Sequence, residues 1–226
     1  MKEQISKPLL QVALDLLDLD KALKLASKIA QYVDIIEAGT PLIKSNGIKA
    51  VQELKKAHPE KLVCADLKIA DAGYLEVKMA ALAKADIVSV LADAYDITIL
   101  ETLRAAEEYH VKIIADLIMS RRPAKRLREI VDLKYNATKL HYCLVHSGLD
   151  VQESRHTPLE ELESVTKIQN RPSLAIAGGI TKNDIPKLKK YPISIIIIGG
   201  AITHAENPVN TTLEIRNLIK STFIER

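Results

Sequence analysis

Aliphatic and β-branched residues gather in eight short runs along the chain. They are LLQVALD (9–15), VDIIEAG (33–39), KLVCADL (61–67), DIVSVLA (86–92), VKIIADLI (111–118), LHYCLVH (140–146), SLAIAGG (173–179) and ISIIIIGG (193–200). Between them, apolar residues recur with helical spacing in LDKALKLASKIAQY, IKAVQELKKAH, YLEVKMAALAKA, ITILETLRAAEEYH, LEELESVTKIQ and NDIPKLKKY, and the chain closes with PVNTTLEIRNLIKSTF. The strand runs are nearly continuous in apolar character, which predicts strands covered on both faces. Repeated β-then-α units with no Pro, Gly or Ser-rich linker predict a single (β/α)8 barrel domain over residues 1–226. A doubly wound open sheet is the structural alternative. No strand-to-helix G-x-G-x-x-G with an acidic partner downstream occurs, so a dinucleotide fold has little support.

Composition narrows the class of function. The 226 residues carry 32 basic and 29 acidic side chains, a balance that gives no strong pull toward nucleic acid or membrane. The N-terminus lacks an apolar leader and the longest apolar run is too short to span a bilayer, so a cytoplasmic location is expected. Cys64 and Cys143 each fall inside a predicted strand and read as buried thiols rather than a disulfide or zinc site. The basic stretch MSRRPAKRLREI (119–130) reads as a solvated helix start.

In a barrel the strand ends build one mouth, so their last residues carry the chemistry. Strand 1 ends in Asp15, strand 2 in Glu37, strand 3 in Asp66 with Lys68 just beyond, strand 5 contains Asp116 and strand 6 ends in His146. Strands 7 and 8 end in Gly178-Gly179 and Gly199-Gly200. Loops without side chains let backbone N–H groups and a helix N-terminus approach an anion, so a phosphorylated substrate is expected; tight strand-to-helix turns are the alternative. Glu37 and Asp66 on neighbouring strands suit Mg²⁺ better than zinc, with an ion-pair network around Lys68 as the alternative. His146 is a candidate proton carrier, or else a buried hydrogen-bonded histidine.

These residues carry a resemblance. VALD (12–15), DIIEAGTP (34–41), ADLKIADAG (65–73), VHSGLDVQ (145–152), AIAGGI (175–180) and IIGGAIT (197–203) are similar, in order and over essentially the whole chain, to the orotidine 5′-monophosphate decarboxylase suprafamily. The D-x-K-x-x-D of Asp66, Lys68 and Asp71 is its most specific motif. Orotidylate decarboxylases have a lysine near the end of strand 2, where this chain has Glu37. The resemblance is nearest to the 3-hexulose-6-phosphate synthase family, with 3-keto-L-gulonate-6-phosphate decarboxylases next. Leu149 stands where those decarboxylases carry an arginine, Asp116 where they carry glutamate, and Gly200 where they carry another arginine.

The resemblance implies an aldol reaction that joins ribulose 5-phosphate to formaldehyde through a 1,2-enediolate, or the reverse cleavage. It implies Mg²⁺ on Glu37 and Asp66, Lys68 beside the enediolate oxygens, and His146 moving the C1 proton. Asp15 would order substrate hydroxyls or Lys68, and the four glycines would hold phosphate. It also implies a homodimer in which Asp71 reaches the partner's site. The segment DVQESRHTPLEEL departs from the family pattern; Arg155 and His156 there read as solvated loop charges. A non-catalytic sugar-phosphate-binding barrel is the reading from another class.

Overall fold

The computed structural model describes residues 7–152 and 158–223. Eight parallel strands close into a barrel: β1 (Leu9–Leu14), β2 (Ile35–Ala38), β3 (Leu62–Ile69), β4 (Ile87–Leu91), β5 (Lys112–Asp116), β6 (Tyr142–His146), β7 (Ser173–Ala177) and β8 (Ile193–Ile198). Their order around the barrel follows the sequence, and β8 pairs with β1, placing Val12 beside Ile198. The (β/α)8 barrel expected from the pattern is therefore the observed fold, and the open-sheet alternative falls.

Helices α1 (Leu19–Ile29), α2 (Thr40–Asn46), α3 (Lys49–Ala57), α4 (Gly73–Leu82), α5 (Asp96–Tyr109) and α6 (Pro123–Ile130) cover the first five strands. They are followed by α7 (Leu149–Gln152), α8 (Pro158–Thr166), α9 (Ile185–Leu188), α10 (Gly200–Thr203) and α11 (Pro208–Thr222). A small antiparallel hairpin, Lys134–Tyr135 with Thr138–Lys139, was not indicated by the pattern. Its turn uses Asn136 at φ +48°, a conformation that asparagine tolerates better than most residues.

Alternation along the strands divides the core in two. Leu10, Val12, Val63, Val88, Ile113, Val145, Ile176 and Ile196 face the helices and form the larger apolar cluster. Ala13, Ile35, Cys64, Ile87, Ile114, Leu144, Ala175 and Ile195 fill the barrel interior. Because both faces are covered, the strands look continuously apolar in sequence, although they alternate between two different cores. Cys64 and Cys143 are buried free thiols, one in each core. Among the described residues no helix is long and apolar enough to cross a membrane.

Candidate active site

A cavity of about 540 Å³ opens where the strands end. Asp15, Glu37, Asp66, Lys68, His146 and all four predicted glycines line it. Asp116 lies beneath this surface, fully buried, and Asp71 lies outside it.

The end of β3 is irregular. Its pairing with β4 runs from Ala65 opposite Val88 to Ile69 opposite Val90, so β3 holds extra residues against its neighbour. Lys68 takes up the bulge with φ +49°, and its backbone N–H donates to Ser89 Oγ at 2.8 Å. Ser89 Oγ in turn donates to Asp66 Oδ1 at 2.8 Å, so one hydroxyl ties the bulge to the carboxylate. Thr40 Oγ1 reaches Asp66 Oδ2 at 2.7 Å, and Lys68 Nζ reaches the same oxygen at 2.5 Å. The motif's Asp66 and Lys68 are thus adjacent in the mouth by construction.

Electrostatics follow from this crowding. Burial works against the Asp66 carboxylate, but Lys68, Thr40 and Ser89 together hold its pKa below the usual value. Lys68 is likewise disfavoured by burial, yet Asp66 and Asp116 push its pKa upward and keep it charged. Glu37 is pushed well above the carboxylate range by burial and then by Asp66 and Asp15. Asp15 is raised by burial and by Asp66. The mouth carries more carboxylates than its one ammonium balances.

Beneath Glu37, the almost fully buried Gln11 donates through Nε2 to Glu37 Oε2. Gln11 Oε1 has no hydrogen-bond partner. An all-oxygen donor set with uncompensated negative charge fits a hard cation. Among the described residues no cluster of three or more His, Cys, Asp or Glu makes a closed cage. Mg²⁺ needs only one or two carboxylates, with water and substrate completing its shell, and Glu37 and Asp66 fit that demand.

His146 stands on Asp116. Its Nδ1 lies 2.9 and 3.1 Å from the two carboxylate oxygens, while Ile118 N–H donates to Oδ1 at 2.9 Å and Lys68 Nζ lies 3.6 Å from Oδ2. A carboxylate only accepts, so Nδ1 carries the proton and Nε2 of the neutral ring is left as a base. The sequence suggested Asp116 as a substrate-site residue; its complete burial makes it a positioning residue for His146 and Lys68.

The glycines have separable roles. Gly178 has φ +100°, and a Cβ there would lie 2.2 Å from Ser147 O, so the backbone alone demands glycine. A methyl group on Gly199 would meet Asp15 Oδ2 at 3.4 Å, and one on Gly200 would meet His204 Nδ1 at 3.4 Å. Those two glycines keep the mouth open rather than relieving a backbone clash. The expected helix dipoles are weak, because α10 is a single turn and α9 starts only at Ile185.

Asp71 is exposed and borders a separate hollow between α4 and α5. Arg155 and His156 lie outside the described residues. In the basic stretch, Arg126 pairs with Asp96 and donates to Ala92 O and Ala94 O, which makes it a structural tie. Sequence reading passed over Gln11, Thr40, Ser89 and His204. The alternation Gln11, Ala13, Asp15 along β1 is the signal that marks Gln11 as inward-facing.

Known proteins share this arrangement. The family model described as Orotidine 5′-phosphate decarboxylase / HUMPS family matches residues 8–215. The 3-hexulose-6-phosphate synthase of Mycobacterium gastri is 40% identical over 93% of this chain and 99% of its own. A crystal structure of 3-hexulose-6-phosphate synthase superposes with a TM-score of 0.86 at 39% identity, covering 93% of this chain and 99% of that one. The structure of KGPDC from Streptococcus mutans in complex with D-ribose 5-phosphate aligns with a TM-score of 0.87 at 26% identity, over 96% and 99% of the two chains. Fold, mouth and relatives together define a (β/α)8-barrel enzyme of the lyase type. The chain belongs to the Orotidine 5′-phosphate decarboxylase / HUMPS family.

Proposed function

We propose that the protein is a Mg²⁺-dependent 3-hexulose-6-phosphate synthase, joining ribulose 5-phosphate to formaldehyde to give D-arabino-3-hexulose 6-phosphate, or running the reverse cleavage. The observation that carries this reading is one cavity in which Glu37, Asp66, Lys68 and His146 face Gly199 and Gly200. Its glycine side suits a phosphate and its charged side suits an enediolate. Leu149, an apolar side chain at the mouth, favours the synthase over a decarboxylase that would protonate its intermediate there.

Each side chain has a task. His146 Nε2 removes the C1 proton of ribulose 5-phosphate, and Asp116 stabilises the imidazolium that results. Lys68, held by Asp66 and Asp116, places fixed positive charge beside the developing enediolate oxygens. C1 then attacks the formaldehyde carbon, and the proton on His146 returns to the new alkoxide. Mg²⁺, held by Glu37 and Asp66, would supply Lewis-acid stabilisation of the same negative charge. Asp15 orders substrate hydroxyls from the β1 end.

The reading extends to a homodimer. Helix α4 is apolar on all sides yet leaves Leu75 (65% exposed), Met79 and Leu82 open, and Tyr95 (82% exposed) and Ile97 lie nearby at the start of α5. Such a helix calls for a partner surface, and Asp71 sits beside it. In this arrangement Asp71 serves the partner's site.

The test is formaldehyde consumption with ribulose 5-phosphate, with and without EDTA. Turnover that EDTA abolishes and Mg²⁺ restores is the expected result. Tight sugar-phosphate binding with no turnover sinks the synthase, and carbon dioxide release from 3-keto-L-gulonate 6-phosphate as the dominant activity replaces it with the decarboxylase. Light scattering should give the mass of a dimer; a monomer at micromolar concentration removes the role assigned to Asp71.

A further inference from the structure

The cavity has an electrostatic problem at its glycine side. Gly199 and Gly200 offer only neutral backbone groups, and the carboxylate nearest Gly199 is Asp15, which would repel a phosphate dianion. The single-turn α10 adds little dipole. Among the described residues lining the cavity, those able to carry positive charge are Lys68, His146 and His204. Lys68 is bound to Asp66 and Asp116, and His146 is bound to Asp116.

His204 differs from both. It follows α10, and its ring rests against Gly200, with Nδ1 3.4 Å from where a Cβ on that glycine would stand. The ring faces Asp15 electrostatically, yet makes no hydrogen bond or ion pair with any described residue. An exposed imidazole beside open glycines is free to turn either nitrogen toward a ligand.

We propose that His204 binds the substrate phosphate, supplying the donor and positive charge that the glycine loops lack and offsetting Asp15. Resting on the sugar-phosphate reading above, this makes His204 a binding residue for the non-reacting end of the substrate. It adds uniform binding, so its loss raises KM and spares kcat.

The experiment compares wild type, His204→Gln and His204→Lys. Calorimetric titration uses ribose 5-phosphate and ribose as probes, and steady-state kinetics use ribulose 5-phosphate with formaldehyde. One charge-assisted hydrogen bond predicts about a tenfold loss of ribose 5-phosphate affinity, and an equal rise in KM, for His204→Gln. Its kcat should stay within about twofold, and His204→Lys should recover most of the affinity because the charge is restored. Unchanged binding in His204→Gln overturns the assignment, as does a fall in kcat that lysine does not rescue. A wild type that binds ribose 5-phosphate no better than ribose overturns the sugar-phosphate reading itself, and His204's role with it.

Discussion

Asp116→Asn is the sharpest probe of the proton-transfer geometry, because Asp116 is fully buried and all its contacts are defined. Oδ1 accepts from Ile118 N–H, both oxygens face His146 Nδ1, and Oδ2 faces Lys68 Nζ. Asparagine has one acceptor and one donor where the carboxylate had two acceptors. If its oxygen keeps Ile118 and His146, the NH₂ points at the Lys68 ammonium. If it flips, the Ile118 N–H loses its partner, at a cost of about 1–3 kcal/mol. In both orientations the imidazolium formed during proton abstraction has lost its counter-charge. At about 4 Å and an effective dielectric of about 20, that attraction is roughly 4 kcal/mol, or about three powers of ten in rate. The general base as a whole is worth about 10²–10⁴, which sets the ceiling. The expected result is a kcat lower by about 10²–10³ with KM for ribulose 5-phosphate nearly unchanged. Stopped-time formaldehyde assays at saturating Mg²⁺ measure it, with circular dichroism confirming the fold. Full activity in Asp116→Asn beside an inactive His146→Gln would refute the dyad.

Two further outcomes follow from the same geometry. Glu37 has a raised carboxyl pKa, so above its ordinary value of 4.5 the folded state holds more protons than the unfolded one. Stability then falls as pH rises from 4.5 through the folded pKa, Asp15 adds to the same trend, and the Asp66 contribution of opposite sign is complete above about its ordinary 3.8. Thermal melts in EDTA should therefore lose Tm between about pH 5 and 8, and Glu37→Gln should flatten the slope; a melt that rises over this window in wild type contradicts the assignment. The glycines should separate: Gly178→Ala meets Ser147 O at 2.2 Å with φ +100°, and is expected to cost more than about 1 kcal/mol of stability. Gly200→Ala has 3.4 Å to His204 and should leave Tm within about two degrees while raising KM for the sugar phosphate. Equal melting losses in both variants would remove the distinction.

The sequence made the barrel legible because every strand and most helices announce themselves by local pattern, and the strand ends then locate one mouth. Glu37, Asp66, Lys68 and His146 were found there because a charge ending an apolar run is conspicuous. Gln11, Thr40 and Ser89 were missed because a neutral polar residue among apolar ones has no local signature. Their importance depends on which strand lies alongside: Ser89 matters only because the bulge in β3 brings Lys68 N–H and Asp66 Oδ1 to its hydroxyl. Asp116 was visible but its depth was not, since burial is set by how β5 and β6 pair, with Asp116 beside Leu144.

The crowding in D-x-K-x-x-D resolves differently at its two ends. Asp66 and Lys68 are neighbours on one strand, and an ordinary strand would keep their side chains apart along its length. The left-handed turn at Lys68 shortens that separation until Nζ sits 2.5 Å from Asp66 Oδ2. A strained residue is retained where the surroundings over-determine it, and here Ser89, Thr40 and Asp116 all fix the same pair. That rigidity is what an enediolate requires, because charge stabilisation is most effective when the ammonium needs no rearrangement as negative charge develops. Asp71 shares none of these contacts and points to a different surface, so the motif's third charge belongs to assembly, whereas its first two belong to the chemistry of a single barrel.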